Sequence, residues 1–329
     1  MKRIGIAGAT GLVGESLLRL VEPEKSGVEE VRLFASERSA GRTITFRDRE
    51  VEVRTLETDS FEGLDIGFSC LEAKLAAKFV PGLAKQCPVV DKSSHFRLDP
   101  GVPLVVPEAN PDAAKQHKGI IANPNCTTIP LCVAIAPLAR EYGLETLHIA
   151  TYQSVSGAGR AAVEQLRYET EFLALDEEPD TSESPFPGRI AGNLIPQVGP
   201  YDKHGHAGEE RKLMDETRKI LDLPGLKVNV TCVRVPVVVG HSLAVTARFG
   251  TRFTPKKAAG VLRRSPGLNV SPEDEFITPA ECEFDDAVHV SRIRAGAEPE
   301  ELNLWIVTDN LRKGAALNAW QIAGLLKED

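Results

Sequence analysis

Gly8, Gly11 and Gly14 stand at three-residue intervals directly after a strand-like run, KRIGIAG, and at the opening of a helical pattern over Leu12 to Val21. A residue without Cβ lets the backbone pass close to a bulky anion, and the first turn of a helix offers unpaired N–H groups and the positive end of its dipole. A tight strand-to-helix turn with nothing bound would need the same glycines. Position favours a dinucleotide site. The runs EVRLFAS, LDIGFSC, CPVVDKS and GIIANPN follow as strand candidates, interleaved with helical periodicity such as Glu72 to Gln86. Such alternation predicts an α/β, doubly wound Rossmann-type domain on a mainly parallel sheet.

From about Glu145 the texture changes. ETLHIATYQSV, LKVNVTCVRVPV, SLAVTARFG, AVHVSRIR and LNLWIVTD are longer strand candidates with fewer helices between them. They predict a second, α+β domain with a mixed or antiparallel sheet. The last stretch, LRKGAALNAWQIAGLLKED, reads as an amphipathic helix with Leu317, Trp320, Ile322, Ala323 and Leu325 on one buried face. The acidic, Pro/Ser-rich segment 168 to 188 reads as a helix end followed by an exposed loop.

Charge and cysteine usage narrow the function classes. With 39 Lys+Arg against 47 Asp+Glu, a net charge of −8, the chain is not a general polyanion binder, so no nucleic-acid partner is expected. No run of roughly 18 apolar residues is present to span a bilayer. The start, MKRIGIAGATGLVG, breaks its apolar stretch with glycines at once, unlike a signal peptide, which predicts a cytoplasmic protein. Six cysteines, scattered without CxxC or Cys/His clusters, suggest neither a disulfide framework nor a metal site.

Cys126 stands apart. It follows Asn123-Pro124-Asn125 and precedes IPLCVAIAPLAREYG, a helical pattern ended by Gly143, so it sits at or near a helix N-terminus that stabilises a thiolate. Cys132, inside the same helix, reads as a core residue. A nucleophilic cysteine beside a nicotinamide points to aldehyde oxidation through a thioester, or the reverse reduction of an acyl group. Of seven histidines, His241 is best placed as its partner, since the β-branched run Val233 to Val239 stops at Gly240-His241. Arg234 is costly within that run unless paired, either in a structural salt bridge or with a substrate carboxylate. On one regular strand Arg234 and His241 would face opposite ways, so Pro236 and Gly240 are expected to supply a bulge or turn. Cofactor choice falls at Ser36-Glu37-Arg38-Ser39, where Ser36, Arg38 and Ser39 favour NADP and Glu37 leaves NAD open.

Taken together, GATGLVG, SSHFR (93 to 97), NPNCTT, YQSVSGAG (152 to 159), Glu209-Glu210-Arg211-Lys212, RVPVVVGH and DNLRKGAALN (309 to 318) resemble the aspartate-semialdehyde dehydrogenase family, in its order and over nearly the whole chain. The resemblance implies NADP-dependent interconversion of 4-phospho-L-aspartate with L-aspartate 4-semialdehyde and phosphate, in lysine, threonine and methionine biosynthesis. It implies an NADP-binding domain over 1–126, completed by a C-terminal helix over 311–329, and a catalytic and dimerisation domain over 127–310. The chain lacks the insertions of the family's longer branch, which points to a homodimer. By the same resemblance Cys126 is the acyl-forming nucleophile, His241 the acid/base and Gln153 the residue orienting the substrate. Arg234 and Glu209 meet the α-carboxylate and α-amino group, and Arg97 and Lys212 the phosphate, with Asn125 beside them. Gly8, Thr10, Gly11, Leu12, Val13, Gly14, Ser36, Arg38, Ser39, Ser156, Gly157 and Asn310 fall where the cofactor is held. His95, and Ala207-Gly208 ahead of Glu209, depart from the family pattern without removing a charge the chemistry needs.

Two rivals remain at the level of sequence. N-acetyl-γ-glutamyl-phosphate reductase runs the same thioester chemistry on an acylated amine, against which Glu209 discriminates. A catalytically silent nucleotide-binding paralogue would have no need of Cys126, His241 and two phosphate-binding cations.

Overall fold

The computed structural model describes residues 1–326 and divides into two compact units, one of residues 1–125 with the stretch from Ala315 onward, the other Cys126–Gly314. The division therefore puts Cys126 with the second unit rather than the first, and moves the later crossing from 311 to Ala315. The cause is local: the Cys126 side chain meets His241, and Gly314 N–H bonds back to the Asp309 carbonyl at 2.9 Å.

The first unit holds strands β1 (Arg3–Ala7), β2 (Glu30–Ala35), β3 (Thr43–Phe46), β4 (Arg49–Thr55), β5 (Ile66–Ser69), β6 (Val89–Asp91) and β7 (Ile120–Ala122) in the order β3-β4-β2-β1-β5-β6-β7. All pairings are parallel except the β3–β4 hairpin. The central strands β5 and β6 are buried throughout, as a parallel sheet covered on both faces requires. Helices α1 (Leu12–Val21) and α2 (Ala73–Leu83) are the crossovers. The core gathers Ile4, Ile6, Leu17, Leu33, Phe68 and Ile121 with Ile322 of the C-terminal segment.

The second unit holds helices α3 (Thr128–Tyr142), α4 (Arg160–Ala174), α5 (Gly208–Leu221) and α6 (Pro255–Arg263). Its six-stranded sheet comprises β8 (Leu144–Gln153), β9 (Lys227–Arg234), β10 (His241–Phe249), β11 (Leu268–Val270), β12 (Val288–Ala295) and β13 (Glu301–Thr308), ordered β11-β12-β13-β10-β8-β9. Pairing is mixed: β8–β9 and β11–β12 run parallel, the rest antiparallel. Helix α3 is apolar on every side because it lies between the sheet and α5 and α6; Thr128 through Ala136 is one continuous buried run. The opposite sheet face, with Tyr152, Thr246 and Trp305, stays half-buried.

Two expectations need correction. The C-terminal segment is not one amphipathic helix: residues Arg312–Ala316 form a π-helical turn, followed by α7 (Leu317–Leu325). Residues 327–329 lie outside the described residues. Buried α7 positions are Leu317, Asn318, Ala319, Ile322 and Ala323, whereas Trp320 and Leu325 are only half-buried. A polar side chain takes part of the buried face: Asn318 Nδ2 donates to Val105 O and Asn123 Oδ1, at 3.1 and 2.7 Å. The segment after α4 is irregular, and its far end is fastened by the fully buried Glu169, whose Oε2 accepts the N–H groups of Ile190 and Ala191 at 2.7 and 2.8 Å.

Candidate active site

In the first unit the glycine loop is built against the end of β2. Phe34 O accepts from Gly8 N and Ala9 N at 2.8 and 3.1 Å, and Gly8 sits at φ +82° in the left-handed region. A Cβ on Gly14 would stand 2.4 Å from Gly8 O, so helix and loop touch backbone to backbone there. A Cβ on Gly11 would meet nothing nearer than 3.5 Å, leaving that side of the turn open. The first backbone bond entering α1 is Glu15 N to Gly11 O, so the N–H groups of Leu12, Val13 and Gly14 precede the intrahelical ladder. This is a cradle that fits the diphosphate of a dinucleotide. Thr10 lies within it, and Ser36, Arg38 and Ser39 form the turn after β2, closed by Ser39 N to Ser36 O at 2.9 Å.

Arg97 also belongs to the first unit and is buried. Its Nη2 donates to Lys92 O at 2.6 Å and its Nε to Asn123 O at 3.1 Å, which fixes the guanidinium plane. The turn that carries it starts at Asp91, whose Oδ2 accepts from Ser93 N and Oγ. Burial pushes the Asp91 carboxyl up, against hydrogen bonds from Ser93 and the nearby Arg97 charge. Asn125, buried, closes this unit.

In the second unit one end of the sheet collects the remaining candidates. Strands β8 and β9 run parallel with Gln153 opposite Arg234, and β10 runs back along β8 with Ser242 opposite Tyr152. The last residues of β8 and β9 and the first of β10 thus meet at a single edge. Arg234 and His241 lie on different strands, and the connection between them turns at Val235–Val237 and at Gly240, φ +97°. That resolves their odd spacing.

Cys126 stands two residues ahead of α3, with Sγ 3.2 Å from His241 Nε2. On the far side of the ring, Ser154 N donates to Nδ1 at 3.1 Å and Ser154 Oγ lies 3.0 Å from it. Burial, then the Arg234 charge, hold the His241 pKa well below its ordinary value. Arg234 is itself buried and spends Nη1 on Ser154 O at 2.6 Å; its Nε and Nη2 have no hydrogen-bond partner among the described residues. Burial lowers the guanidinium pKa, while attraction to Cys126 and Glu209 raises it. A buried cation with donors to spare is the arrangement that receives an anionic group.

Glu209 opens α5 and pairs with Lys212, Nζ to Oε1 2.5 Å. The neighbouring Glu210 is structural: its Oε2 accepts from Ala207 N and its Oε1 from Cys232 N, tying the helix start to β9. Gln153 is buried, its Oε1 accepting from Thr151 Oγ1. Gly157 borders the reacting groups, since a Cβ there would lie 3.1 Å from both Arg234 Nη1 and His241 Nε2. Asn310 Oδ1 accepts from Gly240 N, Ser154 Oγ and Ser156 Oγ, and its Nδ2 donates to Ser156 Oγ. The residues of this unit singled out from sequence are therefore one cluster. Sequence reasoning misses Ser154, for which the only signal is its place between Gln153 and Ser156.

The chain matches two family models, "Semialdehyde dehydrogenase, NAD binding domain" over residues 3–117 and "Semialdehyde dehydrogenase, dimerisation domain" over 135–313. It is 41% identical to the aspartate-semialdehyde dehydrogenase of Aquifex aeolicus, covering 99% of this chain and 98% of that one. Identity to the Bacillus subtilis aspartate-semialdehyde dehydrogenase is 37%, covering 99% and 97%. Among solved structures, aspartate semialdehyde dehydrogenase II of Vibrio cholerae complexed with ASA superposes with TM-score 0.95 at 38% identity, covering 100% of this chain and 99% of that one. The Candida albicans aspartate semialdehyde dehydrogenase with NADP gives TM-score 0.76 at 25% identity, covering 99% and 98%.

Proposed function

The chain belongs to the aspartate-semialdehyde dehydrogenase family, and from that premise we propose that it interconverts L-aspartate 4-semialdehyde and phosphate with 4-phospho-L-aspartate, using NADP. The observation that carries the reading is the 3.2 Å contact between Cys126 Sγ and His241 Nε2, beside a buried guanidinium with unspent donors. In the acyl-phosphate direction the Cys126 sulfur attacks the carbonyl carbon, a C–S bond forms, and phosphate leaves with the C–O electron pair. Arg234 receives the substrate α-carboxylate, Glu209 the α-ammonium, and Gln153 orients the chain between them. Arg97 and Lys212 are the phosphate ligands. N–H groups at the start of α3 are available for the oxyanion. His241 is placed to act at the sulfur and at the reacting oxygen. A bound nicotinamide, held by the Gly8–Gly14 cradle with Ser36, Arg38 and Ser39, supplies the hydride acceptor or donor.

NADP over NAD is supported by Arg38, a cation available to a 2′-phosphate, with hydroxyls on either side. Dimerisation is supported by the name of the matching domain model. A cytoplasmic setting is supported by six cysteines, all free. The test is phosphate-dependent reduction of NADP, and separately NAD, by aspartate semialdehyde and by N-acetylglutamate semialdehyde. Turnover with the free amino aldehyde, faster with NADP, is expected. Preference for the acetylated aldehyde would overturn the substrate assignment.

A further inference from the structure

Arg234 and Glu209 come from different elements, the last position of β9 and the first turn of α5, yet one stretch of backbone fastens both. Strand β9 is the edge of its sheet, so the outward N–H and C=O of Arg234 need a partner from elsewhere. Ile195 meets both. Its N–H donates to Arg234 O at 3.0 Å and its carbonyl accepts from Arg234 N at 2.8 Å, an isolated antiparallel bridge. Three residues on, Val198 O accepts from Glu209 N at 3.0 Å, which satisfies one of the donors that the start of a helix leaves without an intrahelical acceptor. Gly199, φ +86°, then lies against the same helix start, where a Cβ would stand 3.4 Å from Gly208 N and Cα. The side chains of Ile195 and Val198 are buried.

The other end of this strap is held by Glu169. Its carboxylate, fully buried on α4, takes Ile190 N and Ala191 N on Oε2 at 2.7 and 2.8 Å, and Gln165 Nε2 on Oε1 at 2.9 Å. Gly192, φ +65°, and a bond from Asn193 N to Ile190 O turn the chain from that anchor toward β9. Through this backbone Glu169 reaches the two side chains at the site.

We propose that the strap from Ile190 to Gly199 fixes the spacing between Arg234 and Glu209, and that Glu169 is the positioning residue that holds it. The inference rests on reading those two side chains as the ligands of the substrate α-carboxylate and α-ammonium. An α-amino acid carries both charges on one carbon, so selecting it depends on the separation of the two receiving groups as well as on their signs. Arg234 is already tied to Ser154 O, and Glu209 is paired with Lys212. The strap adds the link between them.

The test is steady-state kinetics of the full chain with aspartate semialdehyde, phosphate and NADP. Glu169→Leu removes the acceptor for Ile190 and Ala191 and is expected to raise KM for the aldehyde about tenfold with kcat within about threefold. KM for NADP, and the rate at which iodoacetamide alkylates Cys126 in the free enzyme, are expected to stay within about twofold, which a general loosening of the protein would not allow. Glu169→Gln keeps an oxygen for both N–H groups and is expected to restore KM to within about twofold of wild type. Where Glu169→Leu is too unstable for kinetics, Glu169→Asp, whose carboxylate ends one methylene short, replaces it with an expected rise of about threefold. An unchanged KM in the variant assayed, a loss shared equally with NADP and alkylation, or no rescue by Gln overturns the proposal. Glu209→Gln separates it from its premise. A raised KM there with none in the Glu169 variants defeats the strap alone, whereas an unchanged KM in Glu209→Gln defeats the reading of Glu209 as a substrate ligand.

Discussion

Replacing Gly157 with Ala isolates the geometry of the reacting groups. Its φ lies outside the left-handed region, so alanine meets no backbone penalty, and the whole effect is steric. The new methyl would stand 3.1 Å from Arg234 Nη1, 3.1 Å from His241 Nε2 and 3.2 Å from His241 Cε1. Carbon contacts are most favourable at about 3.5 Å or beyond, so each neighbour must yield by roughly 0.4 Å. Neither yields freely. The imidazole is held by Ser154 N and Oγ, and Arg234 Nη1 by Ser154 O at 2.6 Å. Since a misplacement of about 1 Å in an active site costs on the order of a hundredfold in rate, the variant should lose roughly tenfold in kcat/KM, about 1.4 kcal/mol of transition-state stabilisation. Overpacking should cost about 1 kcal/mol of stability, which leaves the protein folded at room temperature. The assay is steady-state turnover with aspartate semialdehyde, alongside denaturant unfolding. Gly225→Ala is the control, because a Cβ there meets nothing within 4 Å. Wild-type kcat/KM in Gly157→Ala would refute the packing argument, as would equal losses in both variants.

The remaining predictions concern thiols, pH and the anchored segment. Burial pushes Cys70 and Cys87 up to about 11 and Cys232 and Cys282 to about 12, and it raises Cys132 further still. Brief alkylation at neutral pH should therefore modify Cys126 alone, and peptide mapping that finds a second site at comparable rate contradicts this. His241 is neutral when folded but titrates near 6.5 when unfolded, so below that pH the unfolded state binds the extra proton and folding loses up to about 1.4 kcal/mol per pH unit until the depressed folded value is reached. Urea unfolding at a series of pH values should show that slope, and His241→Gln should flatten it, leaving the contribution of His117, which burial also lowers. Glu169→Leu orphans the buried N–H groups of Ile190 and Ala191 and should cost roughly 2–5 kcal/mol, with faster proteolytic cleavage between 175 and 189; unchanged cleavage and stability would mean Glu169 does not anchor the segment.

Period and punctuation carried much of the fold. Strand runs in both halves, helix Leu12–Val21 and the turn at Gly240 are all legible because each follows from local backbone preference. The β3–β4 hairpin was not, although Thr43–Phe46 and Arg49–Thr55 alternate, because its turn uses Arg47 and Asp48 at φ +48° and +61° in place of the glycine or asparagine that marks such turns. The π-helical turn at Arg312–Ala316 leaves no periodic trace at all. For the site, Cys126, His241 and Arg234 could be singled out as residues out of place in their surroundings. Their convergence could not, since it depends on β8 lying between β9 and β10, a fact of sheet order rather than of sequence spacing. Nor could Ser154, whose contribution comes largely from a backbone N–H that any residue would supply.

Everything in the mechanism passes through a bond between Cys126 and the substrate carbonyl carbon. Mixing the protein with 4-phospho-L-aspartate in the absence of reduced cofactor, quenching in acid and mapping the adduct by mass spectrometry should find one aspartyl group on Cys126 per chain, and none in Cys126→Ser. An unmodified Cys126 under conditions where turnover proceeds, or an aspartyl group carried by another residue, would contradict the account.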